Sequence, residues 1–173
     1  MNLKFETINF EIIENIAVIR LNRPNSYNSL NAKMAKELLE ISYECDANKK
    51  IRAIILTGEG ERAFCAGGDL KSFHETGNVA KHLKMVTHDL HGAITKFSRM
   101  NSPLIVAVNG VAAGAGLSFV GFADLAIATS SATFVSAYTK AGLTPDGSSS
   151  YYLPRIIGTV SYTHLTLPTT AYV

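Results

Sequence analysis

Two glycine-rich stretches carry the backbone chemistry of this chain. Cys65-Ala66-Gly67-Gly68-Asp69 and Gly110-Val111-Ala112-Ala113-Gly114-Ala115-Gly116 each follow an apolar run, and the second leads straight into an apolar helix-like segment. Glycine has no Cβ, so its backbone can take unusual dihedrals and approach a ligand closely. A helix N-terminus at such a turn presents free N–H groups and the positive end of the helix dipole. Two N–H groups from two such turns can converge on one oxygen. That arrangement stabilises an enolate or a tetrahedral oxyanion by about 3 kcal/mol per donor. Taken singly, either turn reads first as a device for tight turning and close helix–strand packing.

Other glycine-loop chemistries fit worse. A phosphate loop needs Gly-Lys-Ser/Thr, which does not occur. A dinucleotide fingerprint fails on spacing, because Gly116 is followed by Leu-Ser-Phe and the next glycine is Gly121. No Gly-x-Ser-x-Gly elbow surrounds Ser118.

Four more residues have side chains of chemical interest. Asp146, in Leu143-Thr-Pro-Asp-Gly147, is either an acid/base carboxylate beside an apolar pocket or the centre of a Pro-Asp-Gly turn; spacing leaves both open. Cys65 abuts a glycine turn but has no histidine near it in sequence, so it reads as a buried small hydrophobe. Tyr138 reads equally as a pocket wall or a core aromatic. His91 reads as a helix-surface residue.

Composition limits the setting. The 173 residues are 47% hydrophobic and 17% charged, which suits one folded domain with a sizeable core. A net charge of +2 without clustered Lys or Arg argues against nucleic acid as a partner. The two cysteines, Cys45 and Cys65, form no metal-ligand spacing and fit a reducing compartment. No apolar run approaches the roughly 20 residues of a membrane span. The alternating start MNLKFETINFEII reads as a strand, not a leader. The expectation is a cytoplasmic protein that engages neither nucleic acid nor membrane.

The elements that must hold these residues follow from periodicity. Phe5–Ile13 and Ile16–Leu21 read as strands joined by a Glu14-Asn15 hairpin turn. Asn31 caps a helix to about Ala47. Ala53–Leu56 is a short buried strand, and Asp69 begins a short helix. Val79–Met100 has helical spacing and Pro103 stops it. Leu104–Val108 is a buried strand, Leu117–Phe122 an apolar helix and Asp124–Ala128 a strand. This order predicts a layered α/β fold with its site where strands run into helices.

Five motifs in this order resemble the crotonase (enoyl-CoA hydratase/isomerase) superfamily: IRLNRPNSYNSLN (19–31), AIILTGEGERAFCAGGDL (53–70), SPLIVAVNGVAAGAGL (102–117), ADLAIATSSATF (123–134) and AGLTPDGSSSYYLPRIIG (141–158). The likeness runs from about Ile16 to Gly158 and is nearest to the ring-epoxide (1,2-epoxyphenylacetyl-CoA) isomerase and enoyl-CoA isomerase branch. It implies an α/β spiral of repeated ββα units, an acyl-CoA thioester as substrate, no metal or redox cofactor, and a homotrimer or hexamer. It makes Gly68 and Ala115 the two oxyanion donors. It lays the CoA along Arg23, Ser26, Asn28, Ala66, Gly68, Asp69 and Leu70, with Tyr138 beside the acyl group.

The departures from the family redirect the chemistry. Its hydratases hold water between two glutamates, whose positions here are Ser118 and Tyr138. Neither is a carboxylate, so paired-glutamate hydration is not expected. Asp146 stands where several isomerases and the 4-chlorobenzoyl-CoA dehalogenases place a catalytic aspartate. The expected activity is double-bond or ring isomerisation with Asp146 as acid/base. The alternatives are a non-catalytic acyl-CoA-binding protein or inactive fragment, and a dehalogenase-like hydrolase using His91 and Asp146. Family members continue past Gly158 with further helices. Here Val160–Val173 is Thr-rich, lacks Asp, Glu, Lys and Arg, and shows no period. Residues 1–158 are therefore expected to be a crotonase-like core, truncated at its C-terminal side, and 159–173 a tail foreign to the family.

Overall fold

The computed structural model describes residues 4–166. Its elements in chain order are β1 (Ile8–Ile13), β2 (Ile16–Leu21), α1 (Ala32–Ala47), β3 (Ala53–Gly58), β4 (Ala63–Cys65), α2 (Leu70–His74), α3 (Val79–Phe97), β5 (Leu104–Val108), β6 (Val111–Ala113), α4 (Ala115–Phe122), β7 (Leu125–Ala128), β8 (Thr133–Val135), α5 (Ser149–Ile157) and α6 (Thr159–Thr166). Two sheets result. One has the order β1-β2-β3-β5-β7, and the other, three-stranded, has β4-β6-β8. Among the described residues β1 and β2 are the one antiparallel pair, and the other strand pairings are parallel.

The two sheets are built together. Each of β3, β5 and β7 in the large sheet is followed at once by β4, β6 or β8 in the small one, and then by helix. This is the repeated ββα spiral expected from the sequence. The β1–β2 turn is tight, with Ile13 paired to Ile16. Glu14 and Asn15 both take positive φ, 48° and 70°, as a two-residue hairpin of this twist requires. Asn31 caps α1 by accepting from the Met34 amide at 2.9 Å.

Helices α1 and α3 lie against each other. The core they share with the large sheet includes Ile19, Met34, Leu38, Ile54, Leu90, Ile94 and Val106. Each such side chain contributes roughly 1.5–3 kcal/mol by leaving water. Phe64 and Phe119 meet edge-on at 6.3 Å between centroids, joining β4 to α4. The far side is less covered. Leu125, Ile127, Phe134 and Val135 on β7 and β8 are exposed, as are Ile156 and Val160.

Several boundaries differ from the sequence reading. The first strand begins at Ile8, α3 stops at Phe97, and α4 begins at Ala115, two residues early. Strands β4, β6 and β8 lie inside stretches read as turns or not assigned, because three residues show no period. The stretch after Gly158 forms α6, although no helical period was visible there. This helix lies against α5 and buries none of its residues. The remainder of the expected tail, 167–173, falls outside the described residues.

Candidate active site

The small sheet delivers both glycine turns to one place. Strands β4 and β6 are parallel neighbours, so their C-terminal ends lie side by side. After β4 the chain makes a parallel bridge between Leu30 and Gly68. The Leu30 amide donates to the Gly67 carbonyl at 2.7 Å, and the Leu30 carbonyl accepts from the Asp69 amide at 2.9 Å. A bridge of this kind uses the groups either side of Gly68 and turns the Gly68 N–H away from Leu30. Gly67 makes the turn at φ 93°, which a side chain rarely tolerates.

After β6, Gly114 caps α4 with φ 50° and ψ −118°. Its carbonyl accepts from the Ser118 amide at 3.0 Å. Ala115 is therefore the first helical residue, and its N–H has no acceptor within the helix. A Cβ built on Gly67 would stand 3.5 Å from the Ala115 nitrogen, so the two turns touch. Gly68 and Ala115 line one cavity of about 100 Å³, walled by Leu30, Phe73, Leu83, Val86 and Leu90.

Asp146 and Tyr138 line the same cavity. The Tyr138 hydroxyl donates to Asp146 Oδ1 at 2.8 Å and lies 2.7 Å from Ser118 Oγ. Ser118 is buried, and its Oγ is also 3.1 Å from the Asp146 carbonyl. Burial, and then the nearby Asp146 charge, push the Tyr138 phenol well above its ordinary range, so it stays a proton donor. On the other side of the turn, the Gly147 amide donates to His91 Nε2 at 3.2 Å. His91 is exposed on α3, as expected, but it is also tied to the residue next to Asp146.

The residues expected along the CoA divide into two groups. Ala66, Gly68, Leu70, Ala115 and Tyr138 line the cavity. Arg23, Ser26, Asn28 and Asp69 are not among its lining residues. Arg23 pairs with Asp69 at 2.8 Å and donates to the Ser29 carbonyl at 2.6 Å. Asp69 also caps α2 by accepting from the Ser72 amide. Asn28 is 1% exposed, and its side chain is spent inward on the Arg23 amide and the Glu59 and Ala63 carbonyls. These groups brace the loop that carries Gly67 and Gly68. Ser26 is half-buried in the 3-10 turn Pro24–Ser26.

Cys65 is fully buried behind the turn, and burial pushes its thiol up to about 12, which leaves it inert as a nucleophile. The Ser118–Tyr138–Asp146 chain and the His91 contact have no local sequence signal, since 20, 8 and 56 residues separate the partners. Among the described residues, no helix is long and apolar enough to cross a membrane.

Comparison with known proteins gives the family and the fold. Residues 11–172 match the enoyl-CoA hydratase/isomerase family model. A probable enoyl-CoA hydratase of Rhodobacter capsulatus is 42% identical over 157 residues, covering 90% of this chain and 59% of that protein. The 1,2-epoxyphenylacetyl-CoA isomerase of Escherichia coli is 37% identical over 155 residues, covering 88% and 59%. A 4-chlorobenzoyl coenzyme A dehalogenase of Arthrobacter is 37% identical over 153 residues, covering 87% and 55%. The chain thus spans a little over half the length of these relatives. Among solved structures, an enoyl-CoA hydratase of Bacillus anthracis superposes with a TM-score of 0.88 at 29% identity, covering 96% of this chain and 64% of that one.

Proposed function

The chain belongs to the enoyl-CoA hydratase/isomerase family, and from that premise we propose that it isomerises an acyl-CoA thioester with Asp146 as the acid/base. The amides of Gly68 and Ala115 hold the thioester oxygen. A proton leaves the carbon next to the carbonyl, its electron pair moves onto that oxygen, and the two amides stabilise the enolate by about 3 kcal/mol each. The Asp146 carboxylate takes the proton and returns it at another carbon, so the double bond moves and no atom is gained or lost. The step is redox-neutral, and coenzyme A enters only as part of the substrate.

The observation that carries this reading is the direct 2.7 Å contact between the buried Ser118 Oγ and the hydroxyl of Tyr138, which lines the cavity together with Asp146. Those are the two positions where hydratases of the family carry water-holding glutamates. Here the two hydroxyl groups bond to each other, and Tyr138 bonds the remaining carboxylate. One carboxylate suffices to shuttle a proton, whereas hydration needs a held and activated water. Assembly into a trimer or hexamer belongs to the same proposal.

The test is Asp146→Asn, assayed by exchange of acyl-chain protons in deuterated water across a panel of enoyl- and aryl-acyl-CoA thioesters. Loss of about 100-fold or more is expected. Unchanged exchange removes Asp146 from the mechanism. A second reading rests on His91, whose Nε2 contact with Gly147 brings an imidazole next to Asp146. In that reading Asp146 attacks the chlorine-bearing ring carbon of 4-chlorobenzoyl-CoA and chloride leaves, 4-chlorobenzoyl-CoA being the substrate that the Arthrobacter relative's name gives. Release of chloride from 4-chlorobenzoyl-CoA selects it. Thermal stabilisation by acyl-CoA without turnover of any panel member selects a binding protein over both.

A further inference from the structure

The proton count around Tyr138 is unusual for a pocket-lining tyrosine. Its hydroxyl carries one proton and has two close oxygen neighbours, Asp146 Oδ1 at 2.8 Å and Ser118 Oγ at 2.7 Å. An ionised carboxylate only accepts, and it is the stronger acceptor, so the phenol proton goes to Asp146. Toward Ser118 the phenol can then only accept, and Ser118 must donate. The Ser118 hydroxyl has three acceptors in reach, the Tyr138 oxygen at 2.7 Å, the Asp146 carbonyl at 3.1 Å and the Gly114 carbonyl at 3.3 Å, and donation to the nearest gives the order Ser118 to Tyr138 to Asp146. Ser118 is 1% exposed and sits on the first turns of α4, the helix whose N-terminal amide belongs to Ala115. Tyr138 is 7% exposed, so water does not compete freely for its hydroxyl.

We propose that Tyr138, oriented by Ser118, is the positioning residue for Asp146: it pins one carboxylate oxygen and leaves the other to exchange the substrate proton. This rests on the assignment of Asp146 as acid/base. The same α4 then registers both halves of the site, the oxyanion donor through Ala115 and the base through Ser118. The role is geometric and electrostatic. A hydrogen bond to the charged form of a carboxylate favours that form and limits its rotation. The other groups at this turn are His91 on α3, through Gly147, and Ser149 on α5, whose amide donates to the Asp146 carbonyl at 3.0 Å. Among the described residues His91 is therefore the one other titratable group bonded to this turn.

The test compares Tyr138→Phe with Asp146→Asn in the same exchange assay. Phenylalanine keeps the buried ring and removes only the hydroxyl, and a melting curve matching the parent confirms the fold. Tyr138→Phe is expected to lower kcat roughly 10- to 100-fold with KM changed less than about twofold. The acid limb of its kcat/KM profile moves to higher pH. Ser118→Ala gives a smaller loss in the same direction. If Asp146→Asn abolishes exchange while Tyr138→Phe leaves kcat and the pH profile unaltered, the positioning role is wrong and the acid/base reading stands. If Asp146→Asn leaves exchange intact, the acid/base reading falls and this inference falls with it. The acid limb is also measured in a His91→Gln background. Disappearance of its displacement there assigns the effect to His91 and overturns the proposal.

Discussion

Gly116→Ala tests how tightly the two halves of the site are set against each other. Gly116 is the second residue of α4, one position after Ala115, the proposed donor. A Cβ built there would lie 2.1 Å from the Cys65 carbonyl oxygen and 2.9 Å from the Cys65 carbonyl carbon. Real Cβ atoms essentially never come within 3.0 Å of another heavy atom, so this contact must open by at least about 0.9 Å. Neither side is a flexible side-chain tip. One is the helix start and the other is the last residue of β4, three residues before Gly68, the other proposed donor. Overpacking of this kind costs about 1–3 kcal/mol, and more when backbone must move. A misplacement near 1 Å costs about 100-fold in rate. Urea unfolding and acyl-proton exchange are the assays, with Gly77→Ala as control. Gly77 lies between α2 and α3 with nothing within 4 Å of a built Cβ, and its substitution is expected to stay within about 0.5 kcal/mol of the parent. Equal stability and equal exchange for the two variants would refute the reasoning.

Other perturbations read separate parts of the structure. Asn28→Ala leaves the Arg23 amide and the Glu59 and Ala63 carbonyls without their side-chain partner, at a residue with φ 53°, and about 3 kcal/mol of stability is expected to go by urea unfolding. Asn28→Asp does not rescue it, because a second carboxylate oxygen then faces two carbonyls. Burial pushes the Cys45 and Cys65 thiols up from 9.0 to about 12 in the folded chain. The unfolded chain therefore loses these protons first, so stability is full below about pH 9 and falls toward pH 12, by about 1.4 kcal/mol per pH unit per thiol. Cys65→Ala is expected to remove about half of that slope, leaving the Cys45 contribution, in unfolding measured between pH 8 and 10.5, a window chosen within about two units of the free thiol range. Ile127, 58% exposed on the edge strand β7, is expected to drive self-association of this chain. Sedimentation of Ile127→Lys at rising concentration checks it, and an unchanged association curve would place the contact elsewhere.

The parts of the fold legible in the sequence were those with a period and a cap. Helices α1 and α3 are long enough to show an apolar face, and Asn31 and Asp69 cap where they were expected to. Strands β3 and β5 show as buried apolar runs bounded by turn residues. The three-residue strands β4, β6 and β8 escape such a reading, because only their neighbours in space make them strands. The sequence pattern starts α4 two residues late, because Ala115 and Gly116 look like part of a loop. Backbone geometry at Gly114 is what makes them helix.

The site was legible as a set of residue types but not as a set of contacts. The glycine turns point to backbone donors, and the resemblance names Gly68, Ala115 and Asp146 as candidates. No spacing rule showed that Asn28 turns inward to brace the loop, or that Arg23 and Asp69 pair with each other. Nor did one show that Ser118 and Tyr138, read as two missing glutamates, form a single polar chain ending on Asp146. These are long-range consequences of how the spiral stacks its turns.

The central claim is that the amides of Gly68 and Ala115 polarise a thioester carbonyl. It is tested most directly by the ¹³C resonance of a saturated acyl-CoA labelled at that carbonyl, with the protein at saturating concentration. A downfield displacement on binding is expected, and it shrinks in Gly116→Ala. A bound carbonyl resonance at its free position would contradict it.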